Sequence, residues 1–594
     1  AYSGSYGTNG FHLPFSDNSA ATATTLGKDT SGNGNNWTPN NLQVTGGAAI
    51  DSLVDSPTNG TASSGGDAGG TVVGNYATLN PLKTQTLGTF SNGNLDYTQT
   101  SAGNQNIIAT MSVGGSAKWY WEITLNSTTN STPGISPITE ALYPGNGNGF
   151  GWEVSAGAID VNGARTAGQP TATAGDVIGF AFDASTYQLR IYKNGTQTSF
   201  SPVTVTSGIE YFPAFGTTSG NSAAGSFNFG QRPFAYAAPA GFKSLNTANL
   251  PTPTILAGNT AFDTKLYTGN GSTQTISGLA FSPDFVWIKK RSAAASSNLL
   301  DTVRGARIHV ESDTTNSEYT ESAGVGLTSF NSDGFSLGTD NAGPGQVNAS
   351  SGTFAAWCWD AGSSTVTNTA GSITSTVRAN ASAGFSIVTY SAGASGATVG
   401  HGLGVAPSLI IAKGRTNTVG WICYHSSLGK DQYIYLNYTN AASTAANYWG
   451  SSTPNSTVFG LSSNGNDNNI GNMVAYCFAP VSGYSSFGSY TGNGSADGPF
   501  VYTGFRPKWL LSKRTDQAGW SWLLWDSARD PINQVFNYLR PDLSNAETAA
   551  SNNAIDFLSN GFKMRQTDGN TNASGGTFIW AAFAENPFSI ARAR

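Results

Sequence analysis

The chain consists of short apolar runs separated by gaps that are rich in glycine, asparagine and serine. Apolar and polar positions alternate in runs such as KWYWEITL (118–125) and YQLRIYKNG (187–195). Later runs such as GTFAAWCW (352–359) are apolar without interruption. A period of two residues, and short apolar runs between turn residues, both indicate β-strands. The pattern therefore predicts an all-β protein.

In the C-terminal half, one pattern of apolar and polar positions occurs three times. Each copy has a tyrosine, a proline 16 or 17 residues later and a lysine six residues after the proline. A second apolar run opens with a glycine that follows the proline by 69, 64 and 69 residues. The proline segments are FSPDFVWIKKR (281–291), VAPSLIIAKGR (405–415) and FRPKWLLSKR (505–514). Such self-similarity predicts tandem repeats, here three β-sandwiches at 261–365, 384–480 and 481–594.

The three repeats are expected to share one fold and to be strung in line, with Pro283, Pro407 and Pro507 at equivalent strand starts. The second copy lacks the Asn/Asp-Gly-Phe hairpin signal of the other two, and VFGLSS (458–463) is expected to take its place. Extended binding and structural proteins use tandem modules more often than enzymes do, so the triplication favours a binding or structural role.

Residues 86–236 contain alternating runs with Gly and Asn turns between them, which predicts a two-sheet sandwich. Three blocks in this region resemble the SPRY (B30.2) domain, a concanavalin-like jelly roll. They are Trp-Tyr-Trp-Glu at 119–122, Gly-Asp-Val-Ile-Gly at 175–179 with Asp183, and Tyr-Lys-Asn-Gly at 192–195. The resemblance implies a binding module whose loops, at one end of the sandwich, contact a ligand.

Two further segments connect these parts. Residues 1–85 contain few strand-like runs, and their spaced large apolar residues predict an arm that attaches to a partner's surface rather than a free linker. The anchors of this arm would be Phe11, Phe15, Trp37 and Leu42. Residues 237–260 contain three prolines and predict a short stiff linker before the repeats.

The order of these segments resembles that of large virion proteins of marine tailed phages, over essentially the whole chain. The resemblance rests on the Asn/Gly-rich stretch at 11–42, the tail of the SPRY-like block at 227–253, and HGLGVAPSLIIAKGR at 401–415. It implies a tail-fibre-like or capsid-surface protein on the virion exterior. Its implied partners are other virion proteins, further copies of itself in a homo-oligomer, most simply a trimer, and a host-surface glycan.

The composition agrees with an exposed, neutral β-protein. Charged residues make up 10% of the chain, far below the roughly 25% of ordinary domains. The net charge is −6 without a Lys/Arg cluster, which disfavours nucleic-acid binding. Because no apolar run approaches the roughly 18 residues of a membrane span, no membrane insertion is expected. The chain begins AYSGSYG, so we expect residue 1 to be internal to a longer gene product.

The equivalent lysines Lys289, Lys413 and Lys513 end an apolar strand in each repeat. A functional interpretation makes them sites for an acidic sugar or a phosphate. The favoured interpretation is structural: each lysine reaches an acid or a carbonyl at the strand end. Asp301 and Asp526 recur near the next strand end and are the acid partners that the pattern suggests.

No constellation of residues favours catalysis. Glycoside hydrolysis needs two carboxylates about 5–10 Å apart, and Asp526, Asp530 and Asp556 are candidates, but 34 acidic residues supply chance pairs. Neither His401 nor His425 lies near a serine elbow. We therefore expect a non-enzymatic protein without a cofactor.

Metal binding has no specific motif either. The cysteines lack metal-ligand spacing and are expected to be small buried apolar residues. Calcium stays open as a ligand of two loops, although Asx-turns are the favoured interpretation because the terminal Glu of an EF-hand is absent. These loops contain Asn464, Asp467 and Asn469, and Asp568, Asn570 and Asn572.

Aromatic side chains near loops are the candidates for sugar binding. In the SPRY-like block these are Tyr143 and Trp152, with a core position as the alternative for Trp152. The third repeat contains five of the fourteen tryptophans, among them Trp520 and Trp522 beside the turn TDQAG (515–519). They are explained either by a bulkier core in a terminal capping repeat or by a binding site in which Trp520 stacks on a sugar ring.

The sequence therefore predicts a non-enzymatic virion appendage protein that contributes to attachment to host-surface glycans. The alternatives are a polysaccharide-depolymerising tailspike, which would release reducing ends, and a cellular surface adhesin.

Overall fold

The computed structural model describes residues 6–15, 17, 19–40, 42, 44, 75–83, 87–115, 117–140, 142–218, 223–251, 253–340 and 346–585. The predicted all-β class is confirmed, because antiparallel sheets form nearly all of its regular structure. Two single 3₁₀ turns lie at Gly258–Thr260 and Ser551–Asn553. Within these ranges, no helix has the length and hydropathy needed to cross a membrane.

The first sandwich packs a nine-stranded sheet on a six-stranded one. The larger has the order β1-β2-β14-β4-β9-β10-β11, with β12 beside β10 and β15 beside β4, and the smaller has the order β3-β13-β5-β6-β7-β8. The strands are β1 (Gly88–Ser91), β2 (Asp96–Gln99), β3 (Gln105–Ile108), β4 (Lys118–Ser127), β5 (Ser131–Pro137), β6 (Phe150–Glu153), β7 (Ala158–Val161), β8 (Ala164–Ala167), β9 (Val177–Asp183), β10 (Gln188–Lys193), β11 (Thr196–Gln197), β12 (Val203–Thr204), β13 (Tyr211–Thr217), β14 (Ala224–Asn228) and β15 (Lys243–Ser244).

Strand β4 shows how the sequence places both faces of the larger sheet. Trp119 and Trp121 point into the core between the sheets, and Tyr120 points to the opposite face, as alternation requires. Phe234, from the segment after β14, covers the Tyr120 ring at 4.8 Å. Glu122 fixes this segment, because its carboxylate accepts backbone hydrogen bonds from residues 235 and 236.

The sandwich extends beyond the boundaries assigned from the sequence. Residues 75–83, assigned to the arm, place Ala77 and Leu79 in its core. Residues 242–250, assigned to the linker, add β15 parallel to β4 and place Leu245 in the same core. Only a few residues then remain to connect the sandwich to the repeats.

In the N-terminal arm, backbone N–H groups from separate segments surround one carboxylate. Asp29 accepts backbone hydrogen bonds at 2.8 Å from His12, Ser31 and Asn35. These bonds lower the pKa of Asp29 against the opposing effect of desolvation. The predicted anchors are all exposed, at 43% for Phe11, 58% for Phe15, 53% for Trp37 and 43% for Leu42.

Each repeat packs a larger sheet on a smaller one, and repeat 3 has a further two-stranded sheet. Repeat 1 contains β16 (Phe262–Thr268), β17 (Gln274–Ile276), β18 (Phe285–Lys290), β19 (Asn298–Asp301), β20 (Ile308–Glu311), β21 (Tyr319–Thr320), β22 (Leu327–Asn331), β23 (Gly334–Leu337) and β24 (Thr353–Trp359). Repeat 2, with a preceding hairpin, contains β25 (Thr365–Asn368), β26 (Ser375–Asn380), β27 (Phe385–Ser391), β28 (Thr398–Gly400), β29 (Leu409–Gly414), β30 (Trp421–His425), β31 (Gln432–Tyr435), β32 (Ser443–Thr444), β33 (Val458–Gly460) and β34 (Asn472–Phe478). Repeat 3 contains β35 (Ser485–Thr491), β36 (Phe500–Tyr502), β37 (Pro507–Arg514), β38 (Leu523–Asp526), β39 (Asn537–Tyr538), β40 (Thr548–Ala549), β41 (Ile555–Leu558), β42 (Gly561–Met564) and β43 (Thr577–Ala584).

The larger sheets of the three repeats have the same strand order. It runs β16-β24-β18-β19 in repeat 1, β27-β34-β29-β30 in repeat 2 and β35-β43-β37-β38 in repeat 3. The register also repeats, because the residue two after each proline pairs with the last aromatic residue of the closing strand. The predicted common fold is confirmed. In repeat 2, β33 from VFGLSS pairs with β28 where the other repeats use their Gly-Phe hairpins.

The tyrosine that opens each repeat fastens the loop before the closing strand. The hydroxyl groups of Tyr267, Tyr390 and Tyr490 donate to the carbonyl groups of residues 347, 468 and 571 at 2.7, 2.9 and 2.7 Å. The next residue is a buried asparagine in every copy, Asn348, Asn469 or Asn572, and its amide donates to loop carbonyl groups. The recurring asparagines therefore serve the fold of each repeat.

The predicted linear arrangement of the sandwiches is wrong. The larger sheets of all three repeats face one shared core, and each repeat keeps a separate core between its own two sheets. Three equivalent rings, Trp359, Phe478 and Phe583, meet at the centre and are called the axis triad here. Their centroids are separated by 6.0, 5.7 and 5.9 Å, close to an equilateral triangle. The repeats therefore surround a pseudo-threefold axis.

Backbone hydrogen bonds close this arrangement into a ring. The carbonyl eight residues after each proline, in Arg291, Arg415 or Thr515, accepts from a neighbouring repeat. The donors are the N–H groups of Glu547, Glu318 and Ala442, at 2.9, 2.8 and 2.8 Å. We call these contacts junction 3/1, junction 1/2 and junction 2/3, after the repeats that they join.

Candidate ligand-binding surface

The three equivalent lysines lie inside the junctions and are at most 1% exposed. Lys289 donates to the carbonyl of Ala295 in its own repeat at 2.7 Å, and to that of Leu543 in repeat 3 at 2.8 Å. Lys413 likewise donates to the carbonyl groups of residues 419 and 315, and Lys513 to that of residue 520. Burial lowers the pKa of each lysine to about 8.

The expected acid partners of these lysines have a different role. Asp301 pairs with Arg304 at 2.6 Å and Asp526 with Arg529 at 2.7 Å, with all four side chains fully buried. The suggestion that Asp301 and Asp526 pair with the lysines is therefore wrong. The arginines three residues after each aspartate are the partners, and that spacing is the signal in the sequence that identifies them.

Stability is expected to rise with pH between about pH 7 and 8.5. The lysine pKa is about 8 in the folded chain against an ordinary value of 10.5, so in this range the unfolded chain holds more protons. The free energy of unfolding then increases with pH, by about 2 kcal/mol for the three lysines together. Above this range the rise is opposed, because burial raises the pKa of thiols such as Cys358, which ionise more readily in the unfolded chain.

Urea denaturation at several pH values measures this effect, and Lys513→Met should remove about a third of the rise. A flat or falling stability profile between about pH 7 and 8.5 would contradict the assignment of lowered lysine pKa values.

Two of the three junctions are fastened by an ion pair that the third lacks. Arg291 binds Glu547 at junction 3/1 through two hydrogen bonds of 2.8 and 2.9 Å, and Arg415 binds Glu318 at junction 1/2 through two of 2.8 and 3.0 Å. At junction 2/3 the equivalent positions hold Thr515 and Ala442, so both members of the pair are replaced. Bidentate arginine–carboxylate pairs are among the stronger polar contacts. Junction 2/3 therefore differs in chemistry from its two counterparts.

The same junction carries Trp520, which is half-buried. Its counterparts are Ala295 and Val419, because these residues supply the equivalent carbonyl to the equivalent lysines. A Cβ added to Gly569 would lie 2.4 Å from the Trp520 ring, so that ring rests directly on the glycine. The Arg514 guanidinium lies 5.5 Å from the ring centroid. Gly569 and Arg514 support the indole together, because the Arg514 guanidinium donates to the Gly569 carbonyl at 3.2 Å.

Polar groups surround this indole. Asp516 binds Arg514 through two hydrogen bonds of 3.0 Å, and the Gln517 amide oxygen lies 3.5 Å from the Trp520 indole nitrogen. In the adjoining loop of repeat 2, Tyr438 is 40% exposed, and the carbonyl of Thr439 accepts from the backbone of residue 519. A fixed aromatic ring with donors and acceptors beside it can bind a ring-shaped polar ligand.

Trp522 does not lie with Trp520 at the surface. It is 2% exposed in the shared core, and its indole nitrogen donates to the carbonyl of Tyr435 in repeat 2 at 2.8 Å. Its counterpart Trp421 makes the same bond to the carbonyl of Glu311 at 2.7 Å. Trp522 thus packs a junction, whereas Trp520, earlier in the loop before β38, retains accessible surface.

The two SPRY-region candidates are also separated. Trp152 is fully buried, and its indole nitrogen donates to the carbonyl of Pro170 at 3.1 Å, so it is a core residue. This is the core alternative considered for Trp152, and a sugar cannot reach the ring. Tyr143 is half-buried in the bend before β6. Tyr143 and Trp520 are therefore the candidates that retain accessible surface.

The carboxylates considered for hydrolysis all have structural partners. Asp526 accepts from Arg529 and from the indole nitrogen of Trp357 at 3.0 Å, in a fully buried position. Asp530 accepts from the backbone of residues 536 and 537, and Asp556 pairs with Arg565 at 3.2 Å. The loop carboxylate of Asp568 accepts from the backbone of residue 570 at 2.8 Å, an Asx-turn.

Two regions of the chain match known protein families. Residues 118–232 match the SPRY domain, and residues 258–587 match a domain of unknown function, DUF7483. A search of curated proteins finds no match. Similar solved structures include the PSpry domain of TRIM65 (15% identity, 26% of this chain, 89% of that one, TM-score 0.22), the SPRY domain of human HERC1 (20%, 25%, 96%, 0.22) and stonustoxin (15%, 26%, 27%, 0.21).

The SPRY region predicted from the three sequence blocks is therefore confirmed. A SPRY domain and β-sandwiches together indicate a binding or adhesion role. The DUF7483 match spans all three repeats, the axis triad and the three junctions as one unit, and it covers more than half of the chain. This chain thus belongs to the DUF7483 family.

Proposed function

We propose that this chain is a non-enzymatic structural protein on the exterior of a tailed-phage virion and contributes to attachment to a host-surface glycan. The resemblance of the arm, the SPRY-like block and the repeats to phage virion proteins supports the setting. The closed ring of sandwiches supports a rigid display module, since each repeat is held by two neighbours. The expected partners are other virion proteins and the glycan.

The observation that carries glycan binding is the difference between junction 2/3 and its two counterparts. Where the other junctions hold Ala295 or Val419 and an Arg–Glu pair, this junction holds Trp520 on Gly569. A core requirement does not explain Trp520, because the equivalent positions are small or aliphatic. A sugar ring can stack its C–H face on the indole, while the Asp516 carboxylate accepts hydrogen bonds from its hydroxyl groups and the Gln517 amide donates to them.

Replacing Trp520 with alanine is expected to abolish adsorption to host cells while leaving the melting temperature within about 2 °C of the parent. The ring is half-buried, so its loss removes the stacking surface with little core packing. Adsorption is measured by sedimentation of labelled protein with host cells, and melting by scanning calorimetry.

Tyr319→Ala is the matched control, because Tyr319 is an exposed aromatic residue (57%) in repeat 1 and far from this junction in the chain. It should adsorb like the parent. Retained adsorption by Trp520→Ala, or an equal loss in Tyr319→Ala, would refute the assignment. If the parent steadily releases reducing ends from host polysaccharide and Asp530→Asn does not, the non-enzymatic function would be wrong and the depolymerising alternative would be supported.

The homo-oligomer expected from the sequence, most simply a trimer, stays a prediction. Three equivalent sandwiches around an axis already give one chain the threefold arrangement that fibres usually build from separate subunits. Virion-exterior location also stays a prediction. Peptides from all three repeats in purified phage particles would support it, and their confinement to the lysate would oppose it.

A further inference from the structure

A cleft of about 410 Å³ lies between the SPRY sandwich and repeat 3. Its walls come from the sandwich, from the segment that follows it and from two parts of repeat 3: the loop before β35 with the start of that strand, and the end of β36 with the residues after it. Side chains on these walls include Met111, Ser112, Glu210, Leu250, Pro251 and Tyr502. The volume falls in the range of small-ligand sites, about 300–1,000 Å³, and such sites favour domain interfaces.

Direct contacts hold the two walls in place. The rings of Phe212 and Tyr502 meet edge to face at 4.9 Å, one from each side of the interface. The amide of Asn560 in repeat 3 donates to the carbonyl of Thr110 in the sandwich at 2.7 Å. The cleft is therefore already formed at the interface, so ordering it on ligand binding would cost little free energy.

One wall of the cleft is polar and carries the carboxyl group of Glu210, whose pKa is raised above its ordinary value by desolvation, an effect that a hydrogen bond from Ser112 opposes. Ser112 hydrogen-bonds the Glu210 carboxylate, and its hydroxyl lies 3.4 Å from that of Tyr502. Glu210 remains exposed to the cleft. Among the described residues that line the cleft, Glu210 is the one charged group. The carboxylate therefore has capacity to bind a further donor.

The remaining walls are apolar. Met111, Leu250 and Pro251 offer methylene, thioether and pyrrolidine surface, and the Tyr502 ring stands at the polar side. A ligand that fits both surfaces carries a cationic donor at one end and methylene groups behind it. An anionic ligand would meet the Glu210 carboxylate without a compensating cation from the lining residues.

We propose that this cleft binds an organic cation, an ammonium or guanidinium group on an aliphatic stem, as presented by a lysine or arginine side chain of a peptide. The cation pairs with Glu210, and the face of Tyr502 offers a cation–π contact. The stem packs on Met111 and Leu250, as long basic side chains do on apolar surface. The site is independent of the glycan surface at junction 2/3.

Ligand-observed NMR titration of the full chain with N-acetyl-arginine amide tests this proposal. The parent should bind at a millimolar or tighter dissociation constant, and Glu210→Gln should weaken binding at least tenfold. Tyr502→Phe keeps the contact with Phe212 and should weaken binding less. The matched charge control Asp333→Asn, which lies in repeat 1, should bind like the parent, and all variants should melt like the parent.

Absence of binding by the parent would overturn the proposal, as would equal binding by Glu210→Gln or equal binding of N-acetyl-glutamate amide. A peptide with a single arginine is compared with agmatine to separate two sources of the same chemistry. Tenfold tighter binding of the peptide supports a peptide segment, whereas equal or tighter binding of agmatine would overturn the peptide assignment in favour of a free cation. Adsorption to host cells should be unchanged in Glu210→Gln, so failure of this site and failure of the Trp520 site remain distinguishable.

Discussion

Replacing Phe583 with alanine is expected to lower the free energy of unfolding by about 3–5 kcal/mol, the range for a large aromatic ring removed from a packed core. Phe583 belongs to the axis triad and is 2% exposed. Its ring lies 5.1 Å from that of Phe262, 5.9 Å from that of Phe478 and 5.6 Å from that of Trp509, so it touches all three repeats. The cavity left by the removed ring would lie between the three repeats, so no single repeat could fill it by rearranging its own side chains.

Chemical denaturation followed by tryptophan fluorescence measures this loss, and the repeats should unfold in one transition because they share the core. The control is Phe536→Ala, since Phe536 lies in the same repeat but is 38% exposed. It should change stability by less than about 1 kcal/mol. Separate transitions for the three repeats, or a loss at Phe583 no larger than at Phe536, would show that the shared core does not couple them.

Removing the carboxylate of Asp526 should cost a similar amount, about 3–5 kcal/mol. Asp526→Ala leaves the Arg529 guanidinium fully buried without its 2.7 Å partner, and it also removes the acceptor of the Trp357 indole. The broken buried ion pair is the dominant penalty, because the acid partner that Arg529 keeps, Glu547 at 3.0 Å, is already shared with Arg291. Denaturant midpoints at pH 7 would measure the change.

Repeat 2 provides the matched control for this prediction. At the positions of the aspartate and the arginine it has His425 and Leu428, and His425 bonds the carbonyl of Trp580 at 3.1 Å. The double variant Asp526→His/Arg529→Leu copies this natural combination and leaves no unpaired charge. It should recover at least half of the loss. A double variant less stable than Asp526→Ala would mean that packing, and not the buried charge, sets the cost.

The fold of each repeat can be predicted from the sequence because its signals are local. The proline that starts a strand, the lysine six residues later and the closing apolar run all fall in equivalent register. Which sheets meet between repeats is a long-range property that spacing does not encode. One signal does point to it: in GTFAAWCW, Phe354, Ala356 and Cys358 face the core of repeat 1, whereas Ala355, Trp357 and Trp359 face the shared core. An uninterrupted apolar strand is buried on both faces.

The candidate site, like the fold, depends on both local signals in the sequence and long-range contacts. Alternation does not separate Trp520 from Trp522, because residues two apart on a strand share one face. Both lie in the loop before β38, so only their position beside the turn TDQAG can be predicted from the sequence. The residues that support the Trp520 ring cannot be predicted in this way, because Gly569 lies in a distant loop. The absence of the Arg–Glu pair becomes visible only when the three junctions are compared. The cleft at Glu210 depends on how two domains meet, which neither domain's pattern specifies.

The ends of the DUF7483 region lie beside each other. A Cβ added to Gly258, where the region begins, would lie 2.8 Å from the carbonyl oxygen of Ala584 and 3.3 Å from that of Glu585, where the described chain ends. The ring of repeats therefore has no structurally first or last member. Gene order sets only the point at which the chain enters and leaves the ring. A gene encoding the repeats in the order 2-3-1 would need only a short peptide between residues 585 and 258 to specify the same set of contacts.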